Sequence, residues 1–481
     1  MKVMVSQNKQ TVTLIPGDGV GPEITQACQQ ILEAAGAAIE WEVCEAGTSV
    51  FKKGLKTGVP QETIDSIQRN RVALKGPLET PVGYGEKSAN VTLRKLFETY
   101  SNIRPVKEMA GVVTPYQGRG IDLVIVRENI EDLYAGIEHA QTPNTMQCLK
   151  LISRQGCEKI SRLAFEFAKS EGRAKVHCAT KANIMKLTEG LLKRTFEEVA
   201  KDYPEIESQH IIVDNCAHQL VKKPEQFDVI VMTNMNGDIL SDLSSALVGG
   251  LGFAPSANIG DHCAIFEAVH GSAPKYAGQN LVNPTAMILS AVMLLRHLEQ
   301  FEVAVKVETA VQKTLAQGIL TRDAANNKPF VSTTEFTQAI ISLLEKNASN
   351  SHQHKLLDLS KVYFNDIPVK EREVVGIDIF LETYDSVQVV GDTLDSLVKE
   401  TPWELKFISC RGLTVYPNAD TSYLKLIDHL RCRFVLQKPS KDNIDDLILS
   451  LLTLVSANYR WMHVEKLQTF DGAEAFSSAH G

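Results

Sequence analysis

Thr11-Val-Thr-Leu-Ile15-Pro-Gly-Asp-Gly-Val-Gly-Pro-Glu23 is the stretch that decides the fold class. Its first five residues are β-branched or aliphatic and read as a buried strand, which Pro16-Gly17-Asp18-Gly19 stops. From Glu23 to Ala35 the spacing turns helical, with Ile24, Ala27, Ile31 and Leu32 on one face. The same change of period recurs along the chain. Residues 71–74, 122–126, 175–178, 210–213 and 228–232 read as short strands, and residues 158–171 and 186–201 as helices. Such alternation predicts an α/β region with a parallel or mixed sheet covered by helices.

The chain has 481 residues, room for about three domains. Apolar residues make up 44% and charged residues 22%, which is ordinary globular usage and excludes wholesale disorder. Fifty Lys and Arg against 58 Asp and Glu leave a net charge of −8, with no basic footprint for nucleic acid or an anionic membrane. Residues 1–10 lack the apolar core of a secretory signal, and the longest greasy run, Met287–Leu295, is about half a bilayer span. Nine cysteines, an odd number without a C-x-x-C, fit reduced thiols in a cytoplasmic protein.

Near residues 346–372 the chain turns polar and aperiodic, as a linker does; His352 and His354 there read as solvated rather than as a metal pair. Beyond it the strand-like runs 374–382, 405–410, 432–437 and 461–467 enclose helices around 394–399 and 444–457. The order βαββαβ over residues 373–481 predicts a ferredoxin-like α+β domain.

Three features carry chemistry. The glycine run at 17–21 follows a strand and opens a helix, which fits either a phosphate cradle or a tight strand-to-helix turn. Asp238 and Asp242 stand one helical turn apart among Ile239, Leu240, Leu243, Ala246 and Leu247. A half-buried carboxylate pair needs a cation or an arginine between its members, and oxygen donors suit Mg²⁺ or Mn²⁺. Ser88, Asn90 and Arg94, with Arg104 and Arg127, supply hydrogen-bond donors and guanidinium groups; converging arginines imply a polycarboxylate ligand, and each alone fits a surface ion pair.

Taken with Lys75-Gly-Pro-Leu78, Ser88-Ala-Asn90, Arg127-Glu-Asn129, Glu131-Asp-Leu-Tyr134, Asn234–Asp242 and Glu267–Lys275, these features resemble the isocitrate/isopropylmalate dehydrogenase family of metal-dependent, NAD(P)-linked β-decarboxylating enzymes. The likeness is strongest to the NADP-dependent isocitrate branch in its longer bacterial form, with a C-terminal extension. It implies a catalytic region over residues 1–345, with a large domain (1–125 and 280–345) and a small domain (126–279) that includes a dimer clasp around 142–180. It implies that Ser88, Asn90, Arg94, Arg104 and Arg127 hold the substrate's carboxylates. Asp238 and Asp242, with Asp214 from a neighbouring subunit, would hold Mg²⁺ or Mn²⁺. Tyr134 and Lys181 would be the acid–base pair, Lys181 also reaching across a homodimer. Thr80, Asn183, Glu267, His270, Gly271, Ser272, Ala273, Pro274, Lys275, Tyr276, Val282 and Asn283 would line the NADP site. Lys275 and Tyr276 suit a 2′-phosphate, whereas Thr321–Asn326 offers only Arg322 in place of the family's second phosphate-binding pair. The resemblance leaves isopropylmalate or homoisocitrate as alternative substrates, and a non-catalytic regulatory homologue as an alternative role.

Overall fold

The computed structural model describes residues 9–79, 88–344, 355–366, 368–419, 422–437 and 443–478. The chain divides into two compact units, Met1–Ala135 with Lys150–Phe364 and Gly136–Leu149 with Asn365–Gly481.

The first unit is built on a ten-stranded mixed sheet. Across it the strands run Ile39–Val43, Gln10–Ile15, Val72–Lys75, Ala264–Ala268, Pro255–Ile259, Ser101–Lys107, Asp122–Glu128, Val229–Met232, Lys175–Thr180 and Glu207–Ile212. The first four strands are mutually parallel, as are the last four. Pro255–Ile259 and Ser101–Lys107 join the two blocks through antiparallel pairings. Helix Gly21–Ala35 starts with Pro22 in its first turn and buries Ile24, Ala27, Ile31 and Leu32, the stripe its period predicts, together with Cys28. The greasy run Met287–Leu295 lies in helix Thr285–His297, which is buried along most of its length. No helix among the described residues is long and apolar enough to cross a membrane.

The tight turn by itself requires glycine at 17 and 19. Both have positive φ, 84° and 57°. A Cβ on Gly17 would stand 2.5 Å from the Pro77 carbonyl oxygen, and one on Gly19 2.0 Å from that of Ser272. The glycines therefore let this loop press against two other backbone segments.

In the second unit Arg372–Glu382, Trp403–Cys410, His429–Leu436 and Arg460–Phe470 form an antiparallel sheet in the spatial order 4-1-3-2, with short edge strands Leu413–Tyr416 and Ala473–Glu474. Helices Val387–Val398 and Ile444–Ser456 complete a ferredoxin-like arrangement. The first of these begins well before the helix expected around 394–399. Its opening Val-Gln-Val-Val reads as a strand, but the Ser386 hydroxyl caps it by accepting from the Val389 amide at 3.4 Å.

Residues 142–180, the segment expected as a clasp, fall in both compact units. Helix Arg154–Ser170 and strand Lys175–Thr180 belong to the first unit, while the hairpin Glu138–Ala140/Met146–Cys148 belongs to the second. At the hairpin tip Asn144 and Thr145 donate to the Asp428 carboxylate at 3.1 and 3.2 Å, which explains that grouping. His352 and His354 fall outside the described residues.

Candidate active site

Strand register brings the polar residues together. In the sheet, Lys75 pairs with Glu267, Ile265 with Asn258, Asn258 with Asn102, and Asn102 with Arg127. Directly paired residues, and residues two apart on a strand, share a face. Lys75, Glu267, Asn258, Asn102, Arg104 and Arg127 therefore form one row across five neighbouring strands. The row is hydrogen-bonded along its length. The Lys75 ammonium lies 2.5 Å from Glu267, Asn258 donates to Glu267 at 2.8 Å, Asn102 donates to Asn258 at 2.8 Å, and Arg104 donates to Asn102 at 2.5 Å. Every member is buried.

Two helices bring the remaining groups. Helix Ala89–Leu96 follows Ser88 and carries Asn90 and Arg94 one turn apart, with Arg94 3.1 Å from Glu267. Helix Asn234–Leu247 packs on strands 101–107 and 122–128 and carries Asp238 and Asp242. Arg104 lies between these two acids, 3.4 Å from Asp238 and 3.5 Å from Asp242, as the spacing of like charges requires. Arg127, 1% exposed, donates twice to the Asn234 carbonyl, at 3.0 and 2.8 Å, and pairs with Asp238. The Tyr134 hydroxyl donates to the other oxygen of Asp238, and the Arg127 guanidinium lies 5.1 Å from the Tyr134 ring centre. The fold thus gathers Arg94, Arg104, Arg127, Tyr134, Asp238 and Asp242 into one cluster.

The electrostatics are those of a site built for an anion. Burial pulls the Arg127 guanidinium's pKa down, and the Arg104 and Arg94 charges add to it. Burial does the same to Arg104, with Arg94 again opposing its charge. Burial opposes ionisation of Asp238, yet Arg127, Arg104 and the Tyr134 hydrogen bond hold its pKa below the usual carboxylate range. Asp242 is raised, by burial first and by Asp238 in addition, with Arg104 only partly opposing. Four cations here meet three carboxylates, so the cluster keeps one excess positive charge. The Asn90 Oδ1 and Arg94 Nε are buried without a hydrogen-bond partner, which a bound polar ligand would satisfy. Both Asp238 oxygens are engaged, one by Arg127 and one by Tyr134, and Asp242 contacts Arg104; paired carboxylates are nonetheless the donor type a hard divalent cation takes.

Lys181 and Asp214 stand apart from this cluster. Their charges pair at 2.8 Å, Lys181 in the turn after strand Lys175–Thr180 and Asp214 at the start of helix Val213–Lys222. The Lys181 side chain is 31% exposed and faces a carboxylate. Among the described residues no group of three or more His, Cys, Asp and Glu is arranged to hold a metal. Asn183 is exposed in the same turn.

Residues expected around a dinucleotide are spread over one region. The Ser272 carbonyl accepts from Val20, which ties the segment to the glycine turn. Lys275 sits 4.8 Å over the Tyr276 ring, both exposed; Ala273 has a positive φ of 39°, and Pro274 opens a short 3-10 turn. The His270 Nε2 is buried without a partner, while Gly271 is exposed. Val282 is half-buried; the Asn283 amide donates to Asp323 at 3.0 Å, and its carbonyl accepts from Thr285. Arg322 is exposed, and Thr80 lies outside the described residues. Glu267 turns inward, both oxygens taken by Lys75, Arg94 and Asn258.

Sequence reasoning missed Asn102 and Asn258, and passed over Lys75 within its own motif. For Asn258 the available signal was a polar residue between apolar neighbours, Ala257 and Ile259; Asn102, flanked by Ser101 and Ile103, carried no such signal.

Residues 11–340 match the isocitrate/isopropylmalate dehydrogenase model, and residues 372–481 match that of the bacterial isocitrate dehydrogenase C-terminal domain. An isocitrate dehydrogenase [NADP] of Thermus thermophilus is 58% identical, over 99% of this chain and 97% of that protein. A crystal structure of a protein from Thermus thermophilus superposes with a TM-score of 0.93 at 58% identity, covering 98% of this chain and 96% of the other. Isocitrate dehydrogenase from Methylococcus capsulatus, 44% identical with a TM-score of 0.67, covers 70% of this chain and 99% of its own. The chain belongs to the isocitrate/isopropylmalate dehydrogenase family, and it carries the bacterial C-terminal domain as well.

Proposed function

We propose that the chain oxidises isocitrate with NADP and releases CO₂ to give 2-oxoglutarate, a step of the tricarboxylic acid cycle, in the cytoplasm. The observation that carries the reading is Arg94, Arg104 and Arg127 converging on the Asp238–Asp242 face with one uncompensated positive charge. A tricarboxylate with a divalent cation brings one excess negative charge, which balances it. Polar Ser88 and the half-satisfied Asn90 suit a third carboxylate, whereas the isopropyl group of isopropylmalate needs apolar neighbours.

Asp238 and Asp242 would hold Mg²⁺ or Mn²⁺, with Asp214 arriving from a partner subunit. When bound, the cation supplies Lewis acidity toward the substrate's hydroxyl and carbonyl oxygens. NADP, when bound along His270–Tyr276, Val282 and Asn283, would supply the hydride acceptor. Arg94, Arg104 and Arg127 fix the carboxylates, so the substrate has one orientation at the cofactor. Lys181 relays the hydroxyl proton and Tyr134, held by Asp238, protonates the enol carbon after CO₂ leaves. Lys181 and Asp214 are paired on their own chain, so one subunit would present both to the other's site. The exposed Ile184 and Leu187 beside them fit burial in a homodimer. The cleft would lie between a large domain (1–125 and 280–345) and a small domain (126–279). His270–Tyr276, Val282, Asn283 and the partner's turn at Asn183 would line the NADP site, with Glu267 holding its floor from within.

The direct test is absorbance of the reduced nicotinamide with isocitrate and then isopropylmalate, each with NADP and NAD, with and without chelator. Chelator-sensitive NADP reduction on isocitrate alone is expected. Faster turnover of isopropylmalate overturns the substrate, and none on either acid favours a regulatory homologue.

Two variants probe the ligand contacts. Ser88→Asp places a carboxylate where the substrate's carboxylate would bind, and like charges repel. It is expected to lower kcat/KM for isocitrate by about 10³-fold or more; NADP binding, read by fluorescence titration, should hold within about threefold. Unchanged kcat/KM removes Ser88 from the site. Lys275→Asp is expected to lower kcat/KM for NADP by about 10²-fold while changing that for NAD by less than about threefold, because only NADP carries the 2′-phosphate.

A further inference from the structure

Lys150 lies in the segment expected as a clasp and outside every catalytic or ligand-binding motif above, yet it joins the segments that bear Tyr134, Lys181 and the Asp238–Asp242 pair. Its ammonium contacts the Asp132 carboxylate and lies 2.8 Å from Glu189 Oε1. Both acids have fully buried side chains, and that of Lys150 is 14% exposed. This is an interior charge triad rather than a surface ion pair.

Each acid spends its other bonds on a functional segment. Asp132 accepts from the Leu133 amide at 2.8 Å, which fixes the turn that leads into Tyr134. Its second oxygen accepts from the Met235 amide at 3.0 Å, at the start of the helix that bears Asp238 and Asp242. Asp132 itself has a positive φ of 66°, a conformation that needs such fixing contacts in a residue other than glycine. Glu189 accepts from the Lys181 amide at 3.0 Å and from the Thr233 hydroxyl at 3.1 Å, the residue that precedes the same helix. Tyr134, Lys181 and the acid pair thus hang from two carboxylates that would repel each other without the cation between them.

We propose that Lys150 is a positioning residue for this reaction, the cation that holds the Tyr134 turn, the Lys181 turn and the Asp238 helix in one geometry. This rests on the isocitrate reading above. In the proposed homodimer Tyr134 would serve its own subunit's site and Lys181 the neighbour's, so one lysine supports both centres.

The test uses the full chain with Mn²⁺ and NADP. The measurements are kcat, KM for both substrates, the thermal midpoint, and exchange of the C3 protons of 2-oxoglutarate into D₂O followed by NMR in the presence of NADPH. That exchange reads the Tyr134 proton transfer apart from hydride loss. Lys150→Met is expected to lower kcat between about tenfold and about a hundredfold, because displacements on the ångström scale cost that much. Exchange should slow in parallel, with KM for NADP within about threefold. Lys150→Arg keeps the charge and is expected to recover kcat to within about fivefold of wild type. If Lys150→Met does not fold, Lys150→Gln, which keeps a donor for one acid, carries the same expected split. A folded Met or Gln variant with wild-type kcat and exchange overturns the proposal. So does a folded arginine variant as slow as the methionine one. Wild-type protein inactive on isocitrate would instead overturn the reading beneath it.

Discussion

Asp238→Asn is expected to lose at least about 10³-fold in kcat, because it removes an oxygen donor to the cation and the carboxylate that orients Tyr134. Its second effect is on the fold. Arg127 is 1% exposed and relies on Asp238 for its counter-charge. Removing one member of a fully buried pair costs about 3–5 kcal/mol. The Asp238 side chain is 35% exposed, so solvent screens part of this and about 1–3 kcal/mol is the expected loss. Asp242→Asn should separate the two effects. Its side chain is 54% exposed and its contact with Arg104 is long, 3.5 Å, so stability should change by less than about 1 kcal/mol while turnover is lost. Thermal melts without metal, set beside kcat across a Mn²⁺ titration, check both. Full-speed turnover by either variant in EDTA would dismiss the acid pair as the metal seat.

Glu267→Gln should produce the largest loss of stability at neutral pH, about 3–5 kcal/mol. The substitution leaves Lys75, 1% exposed, beside Arg94 with no carboxylate between them. The pH dependence has a definite sign. Burial alone would raise the Glu267 pKa, but Lys75 and Arg94, with hydrogen bonds from Lys75 and Asn258, hold it far below the usual carboxylate value. A depressed folded-state pKa contributes stability that is whole above the unfolded value of about 4.3 and is lost as pH falls toward the folded one. The difference in melting temperature between wild type and Glu267→Gln should therefore be constant from pH 7 down to about 5 and shrink below about 4. A difference that stays constant through pH 3 would show that the carboxylate's charge does not support this row.

Local sterics and solvation write themselves into residue spacing. The turn from Ile15 through Gly21, the helix that presents Asp238 and Asp242 together, and the βαββαβ order after residue 372 were therefore legible in the chain alone. Strand Ser101–Lys107 was not, because Pro105 and a string of buried polar residues argue against a central strand. Tertiary structure makes that strand possible by pairing Asn102 with Asn258 and Arg104 with Ser241 and the helix acids. It also decided that Gly17 and Gly19 meet protein backbone, and that the hairpin Glu138–Ala140/Met146–Cys148 groups with the C-terminal unit. Lys75 and Glu267, far apart in sequence, acquire meaning only in contact: burial charges each of them heavily, and no pattern along the chain records which distant partner offsets that cost.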